Sequence, residues 1–189
     1  MNFFEKIMDK RRKITDKILN PLINALFNLK ISPNTISLLT GISLIMGAYF
    51  IHLFKFIHAT IFVLISAFTD LVDGGLARKY KANEYGFVID VLIDYCFSSL
   101  LIISIYSIKL ISFELMLLTI ASIFFIVITH VYQKLLSKKS YTSFSLPIGI
   151  TAIIALFINE LSIILMVLIT AINLFHGTFL LKKIEEFKK

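Results

Sequence analysis

The chain has 189 residues, of which 58% are hydrophobic and 16% charged, with a mean hydropathy of +0.88. An ordinary soluble domain is nearer half apolar and a quarter charged, so these proportions argue against a water-soluble monomer. The net charge of +7 alone would suit nucleic acid or anionic lipid, but so apolar a chain has no hydrophilic face for a nucleic-acid site, and none is expected as a partner.

In chain order, residues 3–19 come first. Phe3, Phe4, Ile7, Ile14 and Ile18 recur at helical spacing, and Lys6, Lys10, Arg11, Arg12, Lys13 and Lys17 occupy the positions between them. This pattern predicts an N-terminal amphipathic helix in the membrane interface, its cations on anionic headgroups. A solvated basic tail is the alternative. The segment has no central apolar run with a small-residue cleavage site, so it is not read as a secretory signal.

Six apolar runs follow, at about 34–54, 57–78, 86–107, 111–133, 142–158 and 161–181, each near the length needed to cross a bilayer. Pro147 and Gly149 interrupt the fifth. The expected fold is all-α and polytopic, with six transmembrane helices at 34–181 in a single integral membrane domain covering 1–189. If the N-terminus is inside, 17 of the 19 Lys and Arg residues fall on the inner side and only Lys55 and Lys109 outside. The positive-inside rule therefore predicts a multi-pass protein of the cell membrane with both termini cytoplasmic. Cys96 is the one cysteine, which excludes an internal disulfide framework and reads as packing.

The informative charges are acidic. Asp70, Asp73, Asp90 and Asp94 lie within expected spans, where a carboxylate costs at least a few kcal/mol and tends to face a protein interior or a wet cavity. Asp70 and Asp73 are three apart on the second span, and Asp90 and Asp94 four apart on the third, so each pair shares one helix face. The connection at 79–85 is short, which predicts antiparallel neighbours. At about 1.5 Å per residue the four carboxylates then form two matched levels, roughly 8 and 13 Å from the connection. Four facing carboxylates cannot all ionise at low dielectric unless cations neutralise them. Hard oxygen ligands select Mg²⁺, Mn²⁺ or Ca²⁺, and four carboxylates suffice for two such ions about 4 Å apart, an arrangement used for displacement at phosphorus. A proton relay and a structural polar network are the competing readings. Gly74 and Gly75 leave clearance beside Asp73, Ala77 continues the small face, Arg78 supplies a planar phosphate binder, and Gly86 precedes Asp90 by about one turn.

The stretch Asp70-Leu-Val-Asp73-Gly74-Gly-Leu-Ala77-Arg78, followed by Gly86-Phe-Val-Ile-Asp90-Val-Leu-Ile-Asp94, resembles the signature of the CDP-alcohol phosphatidyltransferase family, D-x-x-D-G-x-x-A-R and then G-x-x-x-D-x-x-x-D. All eight fixed positions are present. The gap between the halves holds seven residues, where the family more often has eight. The resemblance implies a homodimer of six-helix protomers that transfers a phosphatidyl-type phosphoalcohol from its CDP adduct to a second alcohol and releases CMP, in phospholipid synthesis. It implies two divalent cations, Mg²⁺ or Mn²⁺ with Ca²⁺ as a non-productive occupant, on Asp70, Asp73, Asp90 and Asp94, and Asp94 as the base. It assigns the CDP moiety to Asp73, Gly74, Ala77, Arg78 and Gly86, and to Asn34 through the similar entry motif Ser32-Pro33-Asn34-Thr35-Ile36-Ser37. The donor lipid is diacyl or an archaeal ether equivalent.

The acceptor is expected at Lys134, Lys138 and Lys139, which is equally a positive-inside loop. These lysines favour inositol phosphate or glycerol phosphate, although no arginine follows Arg78. His52 and His58 fall near the outer face, and His130 and His176 at span ends, all read as polar anchors. The rival function is a cation- or proton-coupled transporter using the same acids. Transporters tend to carry comparable features in both halves, whereas residues 95–181 contain no mid-span acid.

Overall fold

The computed structural model describes the backbone of residues 17–80, 84–137, 153–154 and 156–187, and their side chains apart from 84, 85, 87, 89, 90, 133–137, 159, 160 and 183–187. Among the described residues there is no strand. Helix satisfies every backbone group within its own segment, as lipid demands. The helices are α1 (residues 17–28), α2 (Pro33–His52), α3 (Phe56–Tyr80), α4 (Glu84–Ser107), α5 (Phe113–Ser137) and α6 (Asn159–Phe187).

Four stretches are long and apolar enough to cross a membrane: Pro33–His52, Phe56–Tyr80, Phe113–Tyr132 and Leu161–Lys182. They coincide with the first, second, fourth and sixth expected spans. The third expected span is helical, but its described apolar stretch is the shorter Val91–Ser107. The fifth, 142–158, lies outside the described residues except for helical residues at 153–154 and 156–157 and the non-helical 158. Residues 3–16 of the expected interfacial helix also lie outside them.

One boundary differs. The helix expected to end at 19 continues to 28, through Pro21. Tertiary packing overrides the local signal, because Leu19, Ile23, Leu26 and Phe27 form an apolar stripe that packs with Ile36, Val72 and Leu76. That seats α1 against α2 and the last turns of α3.

Short turns join the early helices. Ser32 caps α2, its Oγ accepting from the Thr35 amide at 3.2 Å, and Pro33 takes the first helical position. Lys30, Phe54 and Lys109 close three turns in the left-handed region, at φ 58°, 57° and 61°. Beside each, the next amide reaches five residues back: Ile31 to Leu26 (3.1 Å), Lys55 to Phe50 (2.9 Å) and Leu110 to Ile105 (3.2 Å). These are Schellman caps closed without glycine.

Among the described helices, α2 packs against both α3 and α4, α4 against α5, and α5 against α6. The expected antiparallel neighbours α3 and α4 both lie against α2. A Cβ at Gly47 would stand 3.1 Å from Val63 of α3 and 3.6 Å from Leu101 of α4. Leu44, Ala48, Ile51, Val63, Leu101, Ile102 and Ile105 continue this three-helix core. The α5–α6 seam is more polar: Thr119 and Thr170 share a hydrogen bond (3.1 Å), Asn173 Nδ2 donates to Ser122 Oγ (3.3 Å), and the His130 and His176 rings stack at 5.5 Å. Small hydroxyls and close helix approach are the usual means of association in lipid. The two histidines therefore face each other, and His130 is buried.

Candidate active site on α3 and α4

The last three turns of α3 carry Asp70, Asp73, Gly74, Ala77 and Arg78. Asp73 is only 2% exposed, while Asp70 is open at the helix surface. The difference follows from the helical period: Asp73 shares its side of α3 with buried Thr69, Val72 and Leu76.

Arg78 folds back one turn. Its Nη1 lies 3.5 Å from where a Cβ of Gly74 would stand, so the guanidinium covers a backbone stretch with no side chain of its own. That leaves a planar cation beside bare backbone, a geometry suited to a phosphate. Gly75 differs. Its missing side chain is replaced by Ile23 of α1, in contact with the glycine position. The clearance expected there for a ligand is occupied by protein, and Gly75 is a packing residue.

The same end of α3 is fastened to α1 by polar and aromatic contacts. Lys79 Nζ donates to Asn24 Oδ1 and sits 4.5 Å above the Phe27 ring, and Phe27 meets Tyr80 at 4.7 Å. Sequence reasoning missed this clamp. Its signal was the spacing Leu19, Ile23, Leu26, Phe27, continuous with the basic segment before it.

On α4, Gly86 and Asp94 are half-buried. The Asp90 backbone is helical, and its side chain lies outside the described set. Asp70 is ten residues from the Tyr80 end of α3 (80 less 70) and Asp94 ten from the Glu84 end of α4 (94 less 84), about 15 Å in each case. The register is fixed by α2. Thr40 Oγ1 donates to Thr69 Oγ1 at 2.8 Å, and a Cβ on the adjacent Gly41 would stand 3.1 Å from Ile93 Cγ2. Thr69 precedes Asp70 and Ile93 precedes Asp94, so α2 holds the two acids at one level. Asn34 is exposed in the first turn of α2, at the end where Ile36 packs with Val72 and Leu76. It therefore shares an end of the bundle with Asp73 and Arg78.

The backbone at Lys134 is described within α5 but its side chain is not, and Lys138 and Lys139 lie outside the described residues. Among the described residues, no three His, Cys, Asp or Glu side chains gather closely enough to hold a metal ion. The donor chemistry nonetheless fits a hard divalent cation, because Asp70, Asp73 and Asp94 offer only carboxylate oxygen.

Apolar helices of spanning length with acids on α3 and α4 define a multi-pass membrane protein with a polar site inside its helical bundle. The model of the CDP-alcohol phosphatidyltransferase family matches residues 30–177, and the chain belongs to that family. The match includes every acid of the site and leaves α1 outside it. An uncharacterized protein of Aquifex aeolicus (strain VF5) is similar, 35% identical over 81 residues, 42% of this chain and 41% of that protein. The chain aligns with less than half of that relative's length.

Proposed function

We propose that the protein transfers a phosphatidyl-type group from a CDP-activated lipid to a phosphorylated polyol, inositol phosphate or glycerol phosphate, with release of CMP. What carries this reading is the family match together with one geometric fact: Asp73 is buried beside the bare Gly74 backbone, and Arg78 lies over that backbone. In this reading Asp70, Asp73, Asp90 and Asp94 hold two Mg²⁺ or Mn²⁺ ions. When bound, these ions neutralise charge on the pyrophosphate and polarise the phosphorus under attack. Asn34, Asp73, Gly74, Ala77, Arg78 and Gly86 seat the CDP moiety, the small residues admitting the nucleotide and Arg78 engaging its phosphates. Lys134, Lys138 and Lys139 attract the acceptor phosphate.

Asp94 takes the proton from the acceptor hydroxyl as its oxygen attacks the lipid-bearing phosphorus. The new P–O bond forms, the bond to the bridging pyrophosphate oxygen breaks, and CMP leaves with the electron pair. The working unit is a homodimer, with both termini at the cytoplasmic face and the basic N-terminal segment on anionic headgroups.

The test is CMP release from CDP-diacylglycerol, or its ether-lipid equivalent, by the full chain in lipid nanodiscs. Wild type should require Mg²⁺ or Mn²⁺, and Asp94→Asn should lose at least about 100-fold in rate, the scale of a general base. Release that survives Asp94→Asn, or needs no divalent ion, refutes the mechanism.

A further inference from the structure

The α3–α4 pair presents a problem of construction. Two helices that bring acids to one level need an element that sets their separation, and α2 packs against both. At the level of Asp70 and Asp94 that element is the dipeptide Thr40-Gly41 of α2, both residues buried. Thr40 reaches α3 through its hydroxyl, 2.8 Å from that of Thr69. The Thr69 hydroxyl in turn lies 3.0 Å from the Ile65 and Ser66 carbonyls, so the contact is anchored in the α3 backbone. Gly41 faces α4 so closely that a Cβ there would stand 2.7 and 2.8 Å from the Phe97 ring and 3.1 Å from Ile93. Real Cβ atoms essentially never come as close as 2.7–2.8 Å, so a methyl group at Gly41 must displace Phe97 or move α4 outward.

We propose that Thr40-Gly41 is a spacer that sets the gap between the carboxylates of α3 and α4, and thereby the size of divalent cation they hold. The inference rests on the metal reading given above and deepens it. Thr40 and Gly41 are positioning residues, acting through Asp70 and Asp94. The physical lever is ionic radius: Mg²⁺ demands oxygen at about 2.0–2.1 Å, whereas Ca²⁺ accepts about 2.3–2.6 Å and looser geometry. Moving α4 outward should therefore penalise Mg²⁺ more than Ca²⁺.

The experiment measures Mn²⁺ binding to the full chain in nanodiscs by electron paramagnetic resonance, with Mg²⁺ and Ca²⁺ as competitors and no substrate present. Gly41→Ala should weaken Mg²⁺ competition about tenfold while changing Ca²⁺ less than about threefold. Adding Phe97→Leu, which removes the ring in the way, should restore the wild-type ratio. Thr40→Val should shift the ratio in the same direction, and Thr40→Ser should leave it unchanged. Should Gly41→Ala not fold, the Thr40 pair decides. Equal loss of both ions without rescue, or an unchanged ratio in both Gly41→Ala and Thr40→Val, overturns the spacer while leaving the metal site standing. Wild type that binds no Mn²⁺, or Asp94→Asn that binds it as tightly as wild type, overturns the metal reading itself and the spacer with it.

Discussion

Ile23→Ala tests whether α1 is held on the bundle by side-chain packing. Ile23 is 5% exposed, fills the space left by Gly75, and packs with Ile36, Val72 and Leu76. Removing three of its carbons from such a site costs about 2–5 kcal/mol in well-packed cores. The lower end applies here, because among the described residues α1 keeps an open side: Ile18 is 70% exposed, and Leu29, just beyond the helix, 71%. A loss of about 2 kcal/mol in local opening free energy corresponds to roughly 30-fold faster amide exchange, at about 1.4 kcal/mol per decade. The assay is hydrogen exchange with mass spectrometry on the chain in nanodiscs, following the amides of 17–28. Ile18→Ala is the control and should change exchange less than about threefold, as surface substitutions do. The reasoning fails if Ile23→Ala leaves 17–28 as protected as wild type, or if the two variants accelerate exchange equally.

Three further outcomes follow from particular contacts. Lys109 holds φ 61° in the turn after α4, so Lys109→Gly should stabilise by about 1 kcal/mol and raise the Tm in detergent by about 2–4 °C. Asn173→Leu removes the donor to Ser122 Oγ at nearly constant volume, and should lower stability by about 0.6–1.7 kcal/mol, read as a lower unfolding midpoint. Arg78→Lys keeps the charge but loses the planar fork beside Gly74. It should raise the KM for the CDP-lipid about tenfold or more, measured by CMP release at varied donor.

The acids were legible in the sequence because helical spacing is a local property. Asp70 with Asp73, and Asp90 with Asp94, declare a shared face at three and four residues, and the helices there begin and end within a few residues of the apolar runs. What stayed hidden depends on contacts between residues far apart in the chain. Gly75 looks like Gly74 in sequence, yet Ile23, 52 positions earlier (75 less 23), occupies its clearance while Gly74 lies beneath Arg78. A short connection says nothing of α2, which contacts both α3 and α4 through Thr40, Gly41 and Gly47. Nor does spacing show that His130 stacks on His176, since the pair is formed by two helices joined through a long intervening segment.

The most direct test of the central claim follows both products of one reaction. The full chain in nanodiscs is given CDP-diacylglycerol or its ether-lipid equivalent, Mg²⁺ and, in separate runs, inositol 1-phosphate, glycerol 3-phosphate, serine or an unphosphorylated alcohol. CMP and new phospholipid are then quantified together by mass spectrometry. The account predicts equimolar CMP and phospholipid with inositol 1-phosphate or glycerol 3-phosphate, and neither product in Asp94→Asn. CMP without a matching lipid product, or no turnover with any acceptor and either donor lipid, would contradict it.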